Sequence, residues 1–481
     1  MRRISCLSLA AASWLAAEAL LPVLYAATRP RYGGGLRVEM RAQVASLDPR
    51  EMSSDGVEAA ATQRLAALVF ERLVRLDDNG RPQPALAVAW QHDAEAKRWQ
   101  FRLRPGVKFH DGTPLTAERA AAALQPLLGN DRLVSVSGEW LLIQSAQPVP
   151  DLLEELAGGR NFIFHLTADG IAGTGAFRIA QWQPRRRLIL TANEDHWAGR
   201  PFLDSIAVEM GVAAPQQLID LELGKADLVE LSPEQVRRAA RAGSRTWSSA
   251  PVELLALVFD PHRPAVEDAR VRQAVALAMD RASMVSVLLQ KQAEAAGGLL
   301  PQWLSGYAFL FSTAADPERA KQLRGELSSA APLVLVYDSG DLLARSLAER
   351  VAVNAREAGI AMQVSGKGLA AASANAPGNA DLRLARLRLA SPDPRRTLAS
   401  LWVALGEAAA LPDGAATPEQ LYAAERALLE TYRVVPLVHL PETYGLGPRV
   451  KNWMPRRWGG WRLDEVWLDL AAQAAAGGNN P

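Results

Sequence analysis

Cysteine is all but missing from this 481-residue chain: the one present, Cys6, lies within the apolar N-terminal run. The rest of the chain therefore has no disulfide framework and no structural thiolate metal site to draw on. Histidine is scarce as well. Its six copies (His92, His110, His165, His196, His262, His439) show no i, i+3 or i, i+4 pairing, which removes the simplest helix-borne metal site. An excess of one charge is also lacking: 53 Lys and Arg stand against 52 Asp and Glu, a net +1, so no overall field draws the chain to nucleic acid. The motifs of common enzymes are missing too. There is no G-x-S-x-G elbow, no Walker A loop and no H-E-x-x-H. GTGAFR (173–178) starts like a dinucleotide loop, but it lacks the third glycine and leads into a strand pattern. The residues predict no catalytic centre, no resident cofactor and no bound metal.

What is present is a long, soluble-type composition, 49% hydrophobic and 22% charged, with enough length for two or three domains. The chain opens MRRISCLSLAAASWLAAEALLPVLYAA, two arginines followed by an apolar run and small residues. That is the plan of a secretory signal over 1–27, with Ala17-Glu18-Ala19 as one cleavage candidate. An uncleaved membrane anchor is the alternative, opposed by Glu18 and Pro22. A monomer in the periplasm is the expected mature form.

Local patterns follow in order. LRVEM (36–40) alternates at strand period, 59–73 has helical spacing, and Asp77-Asp78-Asn79-Gly80 is a turn cluster. In WQFRLRPGVKFHDGTPLT (99–116), Trp99, Phe101 and Leu103 share one face, Pro105-Gly106 turns, and Val107–Phe109 is expected to return as the second strand of a hairpin. Thr116 can cap a helix over 117–128. Adjacent His110 and Asp111 resemble an acid/base pair but sit in a turn, where a structural role is expected. Arg185-Arg186-Arg187 marks a solvated hairpin end, and Asp280 can cap a second helix through Leu289. A strand over 333–337, a helix over 341–358 and a strand over 360–364 form a parallel unit. A helix over 418–431, a short strand over 434–440 and a tryptophan-rich ending complete the chain.

These motifs, in this order, resemble the bacterial family 5 extracellular solute-binding proteins, whose members feed peptides, nickel complexes and related solutes to ABC importers. The matching residues are SLDP (46–49), PALA (84–87) with Trp90, the 99–117 segment, GTGAF (173–177), 193–197 with Gly199, VRQA (271–274) with Asp280-Arg281, and VPL (435–437). The resemblance implies an α/β fold of two lobes, of the periplasmic binding protein type with mixed sheets (class II), and a small α/β domain inserted in the first lobe. The first lobe is expected from 33–53, 172–262 and 439–470, the inserted domain from 54–171, the second lobe from 263–438, and a disordered tail from 471. It implies a small-molecule or peptide-like ligand, permease and ATPase partners, and closure of the lobes over the solute. The cleft segments carry Ser46 and Leu47, Gly175 and Phe177, Phe259 and Asp260, Arg386, Arg388, Ala390 and Trp402 as ligand-binding candidates: backbone and Ser46 for polar contacts, Phe177 and Trp402 as apolar walls, arginines for charge.

The departures bear on the ligand. Peptide-binding members are expected to hold the ligand's amino group with an aspartate in a GW-x-x-D-x-x-DP stretch. Here the corresponding residues are RLRLASPDP (386–394), which puts Ala390 in the aspartate slot and Leu387 in that of the tryptophan. A buried ammonium without a counter-charge is costly, so a free peptide N-terminus is a poor candidate. Arg383, Arg386 and Arg388 offer forks for an anion if they face the cleft, and otherwise line the solvent side of a strand. The competing reading is a degenerate binding fold serving as an envelope sensor or interaction protein.

Overall fold

The stretch VELLALVF (252–259) is apolar apart from Glu253 and does not alternate, as expected of a strand covered on both faces. In the computed structural model, which describes residues 29–52, 56–168, 170–325, 331–368, 380–389, 391–407, 411 and 416–469, it is the second half of a 15-residue strand, Arg245–Phe259. Leu255, Leu257 and Phe259 face a core with Leu335, Leu347 and Val351. Leu254, Ala256 and Val258 face another with Leu398, Leu401 and Trp402. The period of two sends alternate side chains to opposite faces, and both faces are dry.

Beside it runs the antiparallel strand Val434–Leu446, longer than the 434–440 expected. Among the described residues this pair sits inside an eleven-stranded mixed sheet. To one side of the pair lie Leu228–Glu230, Gly35–Met40, Ser205–Met210, Arg187–Ala192 and Phe177–Gln183. To the other lie Leu382–Arg388, Leu333–Asp338 and Met362–Lys367, while Glu294–Ala295 pairs with Val434–Leu446. Leu36, Val38, Ile206, Val208, Tyr444 and Leu446 belong to a further core, distinct from the two that flank 254–259. One sheet thus serves separate cores, and the two long strands cross between them. Midway along the crossing Pro251 faces Pro441, with register shifts on both sides. Proline has no N–H, so the ladder is broken there and other groups take over: Glu442 N donates to Ser249 Oγ (2.9 Å) and Trp303 Nε1 to the Pro251 carbonyl (2.7 Å).

A separate four-stranded sheet, ordered Ala87–His92, Arg98–Leu103, Trp140–Ser145, Arg132–Ser137, packs with the helix Ala117–Leu128. Thr116 caps that helix as expected, its side chain accepting from Arg119 N. Trp99 and Phe101 are buried. The expected hairpin partner is corrected: Arg98–Leu103 pairs with the strands on either side of it in this sheet, and 107–109 folds back on 113–115 instead, through Phe109 N to Thr113 O and Leu115 N to Val107 O. Val107 and Phe109 are buried all the same, so the alternation was right about the faces and silent about the partner.

The strand–helix–strand unit is Leu333–Asp338, Leu342–Glu357 and Met362–Lys367, the strands parallel. Asp341 caps the helix by accepting from Leu343 N and Ala344 N, and Gly359 follows it with φ +77°. Elsewhere the elements shift. The first helix is Gly56–Val69, and Asp280 caps only Arg281–Ser283, after which the chain continues as a π-turn over Met284–Leu288. Every described helix and strand lies within the unit that begins at Tyr32. The expected signal (1–27), Ala390 and the tail from 471 lie outside the described residues. Among the described residues no helix is long and apolar enough to cross a membrane.

Candidate functional site

A cavity of about 1380 Å³ is walled by the helix Gly56–Val69, residues 70–76, the 151–162 region, the end of Leu382–Arg388, the helix Pro394–Leu405 and the tryptophan-rich 456–465 segment. Its volume exceeds the roughly 300–1,000 Å³ of ordinary small-molecule pockets. Aromatic side chains (Phe70, Phe162, Phe177, Trp197, Trp303, Trp458, Trp461) alternate with charged ones around its wall.

Phe177, Arg386 and Arg388 line this cavity. The other described candidates lie elsewhere. Ser46 Oγ accepts from Asp48 N (3.1 Å), and Leu47 is buried in the core around Leu36. Gly175 donates to Val69 O (2.9 Å), and its carbonyl meets His110 Nε2 (3.0 Å) and Asn193 Nδ2 (3.0 Å). A Cβ on Gly173 would lie 2.0 Å from Val69 O, so glycine is needed in this turn because helix backbone touches it. Phe259 and Trp402 are buried in cores on opposite faces of the sheet; Val403 and Ala404, next to Trp402, reach the cavity instead. Asp260 Oδ1 accepts from His262 N (2.9 Å) in a loop. His110 and Asp111 are turn residues as expected: Asp111 accepts from Thr113 N (2.9 Å), and burial pushes the His110 imidazole down to about 4, although the Gly175 carbonyl opposes the shift.

Arg386 and Arg388 are neither solvent-facing nor free. Arg386 donates to Glu253 Oε2 (2.6 and 2.8 Å) and to Asp341 Oδ2 (2.8 Å). Arg388 is paired with Glu442, and Glu253 lies 3.9 Å away. Glu442 also faces Arg64 at 3.4 Å and accepts from the Tyr444 hydroxyl (3.0 Å); Arg64 continues to Glu230 (3.3 Å), which meets Arg41 (3.2 Å). Acid and base alternate along this ladder, four of each: Arg41, Glu230, Arg64, Glu442, Arg388, Glu253, Arg386, Asp341. Burial alone would raise the Glu442 carboxyl, but Arg388 and Arg64 override it and hold the group at about 2. Glu253 and Glu442 stand on the two crossing strands, on either side of the Pro251–Pro441 break. The sequence carried a signal for both: each is a lone charge in an apolar run, PVELLALVF and VVPLVHLPETY.

A second polar centre fixes the cavity's other wall. Glu71 accepts from Trp197 Nε1 (2.9 and 3.0 Å) and Thr174 Oγ1 (2.8 Å), and lies 3.6 Å from His196 Nε2. Burial works against the charged imidazole of His196, but Glu71 outweighs it and raises the pKa. Among the described residues no group of three or more His, Cys, Asp or Glu side chains is placed to hold a metal ion.

One continuous sheet, separate cores joined by two crossing strands and a large cavity beside the crossing define a two-lobed binding protein of the periplasmic type. The chain belongs to the bacterial extracellular solute-binding proteins, family 5, whose middle region matches residues 81–406. It is 26% identical to the nickel-binding periplasmic protein of Escherichia coli over 347 residues, 63% of this chain and 66% of that one. It is 25% identical to a probable di/tripeptide-binding protein of Pseudomonas aeruginosa over 312 residues, 54% and 59% of the two chains. The aligned parts thus span less than two thirds of these curated relatives. The fold is shared with NikA of Brucella suis, solved with Fe(III)-EDTA (TM-score 0.78, 22% identity, 91% of this chain and 100% of that one). It is shared also with the oligopeptide-binding protein AppA of Bacillus subtilis, solved with a nonapeptide (TM-score 0.72, 17% identity, 92% and 100%).

Proposed function

We propose that the protein captures a small solute outside the cytoplasmic membrane and hands it to an ABC permease, its two lobes closing about the Pro251–Pro441 break. The observation that carries this reading is the cavity beside the two crossing strands, walled by segments from both halves of the sheet's packing: Phe177 with the helix Gly56–Val69 on one hand, Arg386, Arg388 and the helix Pro394–Leu405 on the other. A broken ladder flanked by well-packed cores is where a change of backbone angle disturbs least. Arg396, on that helix, donates to Asp151 Oδ2 (2.6 Å) and Asp151 O (2.7 Å), a bridge across the cavity that favours the closed form. On this reading the inserted domain, near 54–171, includes the four-stranded sheet and supplies Asp151, and the lobes divide at the Pro251–Pro441 break in preference to 262, because Leu254–Phe259 pack with Leu335 and Trp402.

Relatives named for nickel and for peptides bracket the solute class. With no cluster of metal-ligating side chains among the described residues, a metal cargo would enter wrapped in its own chelator. Thermal melts of the purified protein against chelated metals, short peptides, anionic metabolites and sugars test the reading. A true solute at a hundred times its Kd adds about 2.7 kcal/mol to the folded state. A protein that no solute class stabilises would be an envelope sensor or interaction module instead.

A further inference from the structure

The cavity holds two kinds of arginine. Arg386, Arg388, Arg64 and Arg396 are ion-paired. Arg72 and Arg456, on the same wall but far apart in sequence, have no carboxylate within 4 Å among the described residues, and each is tethered by neutral groups alone. Arg72 lies over the Phe162 ring, its Cζ 3.8 Å from the centroid, and donates to Gly159 O (2.6 Å). Its Nε is sealed from water without a partner. Arg456 donates to Leu76 O and lies 5.3 Å from the centroid of Trp458. Aromatic faces and backbone carbonyls fix a guanidinium in place without cancelling its charge.

Both line the cavity, and Arg456 is tied to the carbonyl of Leu76, four residues on from Arg72, so its charge acts against that of Arg72. Burial, with Arg456 adding to it, pushes Arg72 down to about 9; Arg456 is depressed by burial, and Arg462 and Arg75 act in the same direction, while Asp78 and Asp464 pull the other way without pairing with it. Holding two like charges at a low-dielectric wall, with a donor left unmade, is unfavourable for the empty protein. An anion placed between them neutralises the like charges and offsets that cost.

Resting on the solute-capture reading, we infer that Arg72 and Arg456 form an anion-recognising corner of the cavity, taking a carboxylate or phosphate group of the solute. The charged-ligand role that the sequence suggested for Arg386 and Arg388 passes to arginines tethered by carbonyls and rings, with no carboxylate within 4 Å among the described residues. A planar guanidinium stacked on a ring presents its remaining N–H groups edge-on, the geometry in which it grips a planar or tetrahedral oxyanion through two donors.

The test compares the purified protein with Arg72→Gln and Arg456→Gln at low ionic strength, where charge effects are least screened. Citrate and inorganic phosphate serve as anionic probes, and N-acetyl-dialanine amide as an uncharged one. An anionic probe is expected to raise the Tm of the parent protein, and each variant is expected to need about tenfold more of it for the same rise, the loss of one charge-assisted pair. Without ligand, each variant is expected to melt at or above the parent temperature, because a like charge has been removed. A purely structural stacking role would lower it instead. Arg72→Lys, which keeps the charge and loses the fork, is expected to fall between parent and glutamine variant.

Variants that keep the parent response to citrate and phosphate overturn the inference. So does a parent protein that neither anion stabilises. In that event a rise with the uncharged probe leaves solute capture standing and removes only the anion corner, whereas no rise with any probe removes both.

Discussion

Replacing Glu442 with Gln removes the carboxylate on which Arg388 and Arg64 converge while keeping its shape. The magnitude follows from the ladder. The Glu442 carboxyl is held at about 2 against an ordinary 4.5, with its side chain 8% exposed, so little solvent screening applies. At ~1.4 kcal/mol per pKa unit, the ionised form contributes roughly 3 kcal/mol to folding at neutral pH. An independent route agrees: breaking a buried pair by deleting one partner costs about 3–5 kcal/mol, because the remaining charge stays buried. The sign is that of a depressed acid. The contribution is fully present above the ordinary 4.5 and is lost as pH falls towards about 2. Heat registers such a change as a shift of only roughly 1 °C per kcal/mol in a cooperative unit of this size, enough to detect it, and urea gives the magnitude more finely. Urea titrations at pH 7 and at a series of acid pH values are the measurement, with a double-mutant cycle through Arg388→Gln. The expected results are a loss of about 3 kcal/mol at pH 7, a shallower fall in stability below the ordinary carboxylate range, and a coupling above about 1 kcal/mol. A loss under 1 kcal/mol with an unchanged acid limb would refute the view that the ladder holds the crossing strands together.

Three further perturbations follow from buried groups. Burial depresses both His110 and His439 to about 4, despite the carbonyls of Gly175 and Leu299, so both are neutral in the fold; stability is complete above the ordinary 6.5 and falls as pH drops from there towards 4, and His439→Gln should flatten that slope by roughly 3 kcal/mol in urea titrations. Burial raises Glu425 to about 7, even with Tyr307 and the Leu299 N–H donating to it, so the native protein loses stability as pH rises from the ordinary 4.5 through 7; Glu425→Gln should match the parent near pH 5 and exceed its stability at pH 8. Gly173→Ala drives a methyl into Val69 O, 2.0 Å away, and into the Phe70 ring, and is expected to cost about 3 kcal/mol or more, measured as a lowered urea midpoint with unchanged slope.

The fold was largely legible because its elements announce themselves locally. Thr116 caps the helix it was expected to cap, the helix expected over 341–358 is there with Asp341 as its cap, and the 333–367 unit has its two strands parallel. What local pattern could not supply was pairing. Val107 and Phe109 are buried as their spacing demands, yet their expected hairpin does not exist, since alternation specifies a face and never a neighbour. The site was less legible for the same reason. Its ladder joins residues 41, 64, 230, 253, 341, 386, 388 and 442, brought together by the crossing strands and by two helices, one carrying Arg64 and one capped by Asp341. The useful trace was a single charge set in an apolar run, as at Glu253 and Glu442. Gly175 and Trp402 show the converse: residues in the expected cleft segments serve packing, one against the end of a helix and one inside a core.

The ladder also has a kinetic consequence. Its four cations and four anions alternate at contact distance, so their fields cancel within a few ångströms and an approaching solute feels almost none of them. Long-range attraction into the cavity is left to guanidiniums such as Arg72 and Arg456, which are held by neutral groups. The slope of the association rate against ionic strength therefore counts those few charges, and a protein with ten arginines in its cavity wall should show the salt dependence of one with far fewer.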